Sequence, residues 1–155
     1  MNKVTLIFLA LLLSGCADNR IFEENQIIDN NTWKAYQAYS FSFSVLDTTR
    51  TYNLLCNIRN TSKYPNYNIY IRYVLMDSAG NKLETELKNF ILFDPKSGDP
   101  YGKTGLGDLF EHQNPLITDY EFPYSGSYSL SMEQLMRYEN LPEINFVGLR
   151  VELTK

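Results

Sequence analysis

Residues 39–45 read Tyr-Ser-Phe-Ser-Phe-Ser-Val, a strict alternation of large apolar and small polar side chains. Only an extended strand sends successive side chains to opposite faces, so this pattern demands a half-buried β-strand. It excludes an amphipathic helix, whose apolar residues recur every three or four positions. The same period returns at 52–59, where Tyr52, Leu54, Cys56 and Ile58 face one way and Asn53, Asn57 and Arg59 the other. It returns again at 68–77, at 124–130 (Tyr124, Gly126, Tyr128 and Leu130 on one face) and at 147–153 (Val147, Leu149, Val151 and Leu153 on one face).

Turn formers separate these runs. The segment Asp47-Thr48-Thr49-Arg50 predicts a hairpin between the first two strands. Residues 60–68 are rich in turn formers, and Pro65 bars them from a central strand. Residues 83–93 read as a longer, less regular strand; 109–112 and 118–122 are weaker ones. One short helix is expected near 132–138. Ser131 and Gln134 have capping-box spacing, Met132, Leu135 and Met136 form an apolar stripe, and Asn140 and Pro142 end it. Eight or so short strands with one helical crossover predict a mainly β fold: a single antiparallel β-sandwich of jelly-roll or Ig-like type.

The N-terminus sets the compartment. Lys3 precedes an apolar run at 4–13, too short for an ordinary membrane span, which needs about 20 residues. Leu13-Ser14-Gly15-Cys16 then matches the bacterial lipobox. Residues 1–15 are therefore read as a lipoprotein signal peptide. Cys16 becomes the acylated first residue, 16–31 a polar lipidated tether ending in a short edge strand, and 32–155 the β-sandwich domain. Ala17 and Asp18 carry no evident inner-membrane retention signal, which points to the outer membrane. The formal net charge of −4 becomes one unit more negative when Lys3 is removed, and argues against nucleic acid as a partner. The second of the two cysteines, Cys56, is left without a partner. Its place between Leu54 and Ile58 marks it as a buried, unreactive thiol.

Residues 94–107 form a long loop carrying Pro95, Gly98, Pro100, Gly102, Gly105 and Gly107, and loops of this length are often functional. Its Gly102-Lys103-Thr104 invites a phosphate-binding reading. The spacing from Gly98 is one residue short of a P-loop, Pro100 has no amide to donate, and no helix follows. No nucleotide and no other cofactor is expected. The loop residues Tyr101, Gly102, Lys103, Gly105, Gly107 and Asp108 are instead the candidate contact surface for a partner or a glycan. Asp94, Asp99 and Asp108 share this loop, but their spacing fits no EF-hand, and no metal site is assigned. His112 is the sole histidine and has no nucleophile signature nearby, so a surface or packing role is expected. Glu84 and Glu86 lie on one strand face without the cleft a glycosidase needs. The twelve tyrosines and nine phenylalanines cover the sheets or, where exposed at Tyr64, Tyr67, Tyr70 and Tyr101, could stack on sugars or anchor an interface. Asp47-Thr48-Thr49 and Asp77-Ser78-Ala79 resemble a short O-glycosylation motif of bacterial envelope proteins, with Thr48 and Ser78 as acceptors at turns.

Several of these segments together resemble one family. They are the lipobox, residues 52–73 with Arg59, Asn60, Tyr64 and Pro65, the glycine loop, and an ending with Gly126-x-Tyr128, Gln134-x-x-Arg137, Leu141-Pro142 and Val147-Gly148-Leu149-Arg150. The chain is similar to the GldH family of gliding-motility lipoproteins of the Bacteroidetes from about Trp33 onward. It departs from the family pattern at Glu143 and at Asp94-Pro95. The resemblance implies a non-enzymatic envelope lipoprotein, held to a membrane by its N-terminal lipid. Its implied partners are other gliding lipoproteins and the associated type IX secretion apparatus. The alternative from the residues alone is a carbohydrate- or small-ligand-binding jelly-roll module.

Overall fold

The alternating runs become strands of two sheets that share one core. The computed structural model describes residues 19–155. The strands are β1 (Arg20–Ile27), β2 (Thr32–Lys34), β3 (Tyr39–Val45), β4 (Tyr52–Thr61), β5 (Asn68–Asp77), β6 (Lys82–Ile91), β7 (Lys103–Thr104), β8 (Leu109–Tyr120), β9 (Gly126–Gln134), β10 (Asn140–Pro142) and β11 (Ile144–Leu153). A five-stranded sheet runs β1-β11-β4-β8-β7, a four-stranded sheet runs β3-β9-β5-β6, and β10-β2 forms a separate ribbon. Every pairing is antiparallel. The inward rows are those the period-two pattern marked: Leu54, Cys56 and Ile58 on β4, Val147, Leu149 and Val151 on β11, Phe41 and Phe43 on β3, Ile71, Tyr73 and Leu75 on β5. Burial pushes the Cys56 thiol far up, which keeps it protonated and inert.

Four local expectations are corrected by the packing. No helix forms near 132–138. β9 keeps its period of two through Tyr128, Leu130, Met132 and Gln134, all buried. Gln134 does not cap a helix. Its Nε2 reaches Tyr138 O at 3.1 Å and Trp33 O at 3.4 Å, and its Oε1 accepts from Met136 N at 2.8 Å. Among the described residues the sole helical piece is a 3-10 turn at Asp29–Asn31. Second, residues 47–50 do not close a hairpin. β3 pairs with β9, whereas β4 pairs with β11 and β8, so this turn carries the chain from one sheet to the other. Both strands still point their apolar rows into the core. Third, the short edge strand expected at the end of the 16–31 stretch is longer and starts earlier: β1 is zipped to β11 from Arg20 to Ile27. Fourth, the two weak strands near 109 and 118 are one strand, β8, which runs through Pro115. Proline is tolerated there because β7 reaches only Phe110 and Glu111, leaving β4 as the partner at that position.

Two buried ionisable groups make the fold acid-sensitive in successive windows. His112 is 5% exposed, and burial lowers its pKa to about 4. The unfolded chain takes up that proton first, so stability falls as pH drops from about 6.5 to 4. Asp77 accepts from Tyr124 Oη at 2.5 Å, from Asn81 Nδ2 and N at 2.8 Å each, and from Ala79 N at 2.9 Å. These bonds, the tyrosine's foremost, depress its pKa to about 2, so its contribution is lost between about pH 3.8 and 2. Urea midpoints of the purified protein from pH 8 to 2 are expected to fall in both windows. His112→Gln is expected to reduce the fall in the upper window alone and Asp77→Asn to reduce it in the lower alone, where the depressed carboxyls of Glu23, Asp47 and Asp94 still contribute.

Candidate functional site

The outer face of the five-stranded sheet is polar and centres on a glycine. Gly148 on β11 pairs with Asn25 on β1 and with Asn57 on β4, and Asn57 pairs with Gln113 on β8. A Cβ at Gly148 would lie 2.6 Å from Glu24 O and closer still to Asn25 Oδ1. The missing side chain lets amides meet across the sheet. Asn57 Nδ2 donates to Glu23 Oε1 at 2.9 Å and to Asn25 Oδ1 at 3.2 Å, and Gln113 Nε2 donates to Asn57 Oδ1 at 3.0 Å. Two residues along each strand lies a second row on the same face, Phe146, Arg59, Glu111 and Lys103. Arg59 pairs with Glu111 and lies 4.5 Å over the Phe146 ring. Arg150 donates to Glu152 at 2.8 Å and approaches Glu23 at 3.4 Å. Burial works against the charge on Glu23. Hydrogen bonds from Arg20 and Asn57, with Arg150 nearby, outweigh it and hold the carboxyl below its ordinary range.

The glycine loop covers one end of this face. Asp94 organises it, accepting from Lys96 N and Ser97 N at 2.8 Å each and from Tyr101 Oη at 2.8 Å. The Ser97 and Lys96 amides, then the tyrosine, hold its carboxyl below the usual range. Gly102 presses on β8, where a Cβ would stand 2.5 Å from Glu111 O and 2.7 Å from His112 Nδ1. Gly105 N bonds Leu109 O at 2.7 Å, Ser62 N bonds Asp108 O at 2.8 Å, and Gly107 has φ +73°. These amides are spent on the loop's own structure. Among the described residues, no group of three or more His, Cys, Asp or Glu side chains is placed to hold a metal ion. Tyr101, Gly102 and Lys103 meet Asn57, Glu111 and Phe146 around a groove of about 400 Å³.

The structure thus brings together Tyr101, Gly102, Lys103, Arg59, Gly148 and Arg150. It does not bring the other marked residues to this face. Asn60 and Tyr128 are core residues, and Tyr64 is buried with its hydroxyl on Asn68 O at 2.9 Å. Pro65 is exposed in the turn after β4, and Gly126 opens β9. Arg137 is exposed at the end of the sandwich beside Met136 and Tyr138, in a hollow of about 510 Å³ shared with Tyr36. Tyr36 is 87% exposed at φ +63°, unusual for so bulky a residue. Thr48 and Ser78 are exposed in turns. Cys16 lies outside the described residues. Sequence reasoning missed Glu23, Asn25, Glu111, Gln113 and Phe146. The available signal was Gly148, a residue without a side chain inside a run of strand formers.

Fold and face together define an antiparallel two-sheet β domain, with a broad hydrogen-bonded polar face on one sheet and an aromatic end. The family model described as GldH lipoprotein matches residues 20–151, and the chain belongs to that family. The chain is 27% identical over 158 residues to the gliding motility lipoprotein GldH of Flavobacterium johnsoniae, covering 97% of this chain and 96% of the relative. It is 28% identical over 153 residues to a GldH homolog from Christiangramia forsetii, covering 94% and 91%. Among solved structures it resembles part of dimeric latent PorU from Porphyromonas gingivalis, with TM-score 0.31 and 10% identity, over 90% of this chain and 14% of that one. Family membership makes the chain a lipid-anchored protein of the cell envelope.

Proposed function

We propose that the chain is a non-enzymatic component of a gliding apparatus, anchored through Cys16 to the outer membrane, that supports assembly of the associated type IX secretion machinery by docking on other envelope lipoproteins. The observation that carries this reading is the end-to-end match to the Flavobacterium johnsoniae protein named as a gliding motility lipoprotein. The outer face is suited to docking. Arg59 is already paired with Glu111 and Arg150 with Glu152 and Glu23, and the face offers Arg59, Phe146 and Tyr101, side-chain types that anchor protein interfaces. Deleting the gene in the source bacterium is expected to abolish colony spreading. The intact gene restores it, and a Cys16→Ser version does not. Cross-linked capture of the tagged protein should recover gliding or secretion components. Normal spreading of the deletion strain overturns the motility role, and capture of the protein alone overturns the assembly role.

A second reading follows from the groove itself. Amides and carboxylates beside Tyr101 and Phe146 are the groups that bind sugar hydroxyls and ring faces. Chemical-shift changes confined to Asn57, Gln113 and Tyr101 on adding envelope polysaccharide would move this reading to first place.

A further inference from the structure

Covalent geometry limits how far the domain can stand from its anchor. Only Ala17, Asp18 and Asn19 separate Cys16 from Arg20, the first residue of β1. Four residues fully extended span at most about 14 Å. Asn19 is itself fastened to the last strand: its O accepts from Leu153 N at 2.8 Å and its Nδ2 donates to Leu153 O at 2.7 Å.

Register shows what else lies at that end. Arg20 is opposite Glu152, Leu153 is opposite Tyr52, and Thr154 N bonds Thr51 O at 3.0 Å. The crossing turn at 46–51 therefore sits beside Asn19. Its first residue, Leu46, is 87% exposed. The turn is rigid: Asp47 Oδ1 accepts from Thr49 N at 2.9 Å and from Thr49 Oγ1 at 2.6 Å, and Tyr52 Oη donates to Asp47 O at 2.6 Å. Leu46 is held outward and does not fold back onto the core. Ile21 is the second apolar residue here. It is 42% exposed at the register shift between Arg20 and Phe22. The exposed charges nearby include Arg50 and Lys155 as well as Asp47 and Asp119, so no single sign dominates.

We infer that the Arg20 end of the sandwich is a membrane-apposed face. Leu46 and Ile21 sit in the interfacial layer of the bilayer that holds the Cys16 acyl chains, and the Tyr36 and Arg137 end points away. This rests on the reading of Cys16 as the anchor. The mixed charge means a zwitterionic lipid surface suffices. Thr48 lies in the same rigid turn, two residues after Leu46, so a glycan on it would hold the turn off the bilayer.

The test uses the full lipidated chain in vesicles of phosphatidylethanolamine and phosphatidylcholine. Cys56 is fully buried, so a thiol dye reports on an added cysteine. Dye at Thr48→Cys is expected to be quenched by headgroup-level nitroxide lipid several-fold more than dye at Tyr36→Cys. Leu46→Glu in the Thr48→Cys background is expected to remove most of that difference. Equal quenching at 48 and 36 in protein whose intact mass shows acyl chains overturns the apposed face and leaves the anchor standing. An intact mass without acyl chains overturns both. Quenching at 48 that Leu46→Glu leaves unchanged removes Leu46 from the contact, and a native mass showing a sugar on Thr48 overturns the face as drawn.

Discussion

Replacing Trp33 with alanine is expected to lower stability by about 4 kcal/mol, the range for deleting a large buried aromatic, and the melting temperature by about 15 °C. Trp33 is fully buried and pairs with Leu141 in the β2–β10 ribbon. Its ring meets Tyr39 edge-on at 5.5 Å, and its Nε1 donates to Gln37 O at 2.9 Å. Truncation opens a cavity, removes the edge-to-face contact and leaves the Gln37 carbonyl without that donor. The same backbone holds Gln134 in place, so the segment after β9 loosens too. Trp33→Phe retains most of the volume and loses the hydrogen bond, so about half the loss is expected. Thermal unfolding followed by circular dichroism measures both. A loss under about 1 kcal/mol for alanine would show that the ribbon packs independently of the sandwich.

Gly148→Ala is expected to cost about 2–3 kcal/mol, the upper part of the range for forcing atoms into a filled site. The added methyl meets the Asn25 side chain, which can move, and Glu24 O at 2.6 Å, which cannot move without shifting β1. β1 has one ladder, to β11. Hydrogen exchange should therefore speed up at 23–27 while β5 and β9 keep their protection. Asn25→Ala in the Gly148→Ala background relieves the side-chain clash and leaves the backbone one, so it recovers part of the loss. Unchanged exchange at β1 would mean that the neighbouring backbone absorbs the methyl.

The legible part of the fold was the part with one wet and one dry face. β3, β4, β5, β9 and β11 announce themselves because their alternate residues are apolar. β1 does not. Glu23, Glu24, Asn25 and Gln26 are consecutive polar residues, and an edge strand whose outer row belongs to a polar face has little apolar pattern to show. The helix near 132–138 was a conflict between two periods over the same residues. Met132 and Gln134 fit both, and burial of the whole β9 row decided for the strand. The candidate face was legible only in fragments. Gly148 and Arg150 sit in one motif, Arg59 in another, and Tyr101 to Lys103 in a third. What joins them is register among β11, β4 and β8, set by contacts distant in sequence. The amide row from Asn25 to Gln113 has Gly148 as its one local signature; the amides themselves carry none.

The ladder between β1 and β11 has a mechanical consequence. With the proposed anchor at Cys16, a pull against a partner docked on the outer face of β11, β4 and β8 would run lengthwise along β1, because Arg20 and Ile27 mark its opposite ends. Interstrand hydrogen bonds in an antiparallel pair lie across the strands. A lengthwise force would therefore load the bonds from Arg20 to Ile27 together, as shear. The same force applied at one edge would open them in sequence, as a zipper.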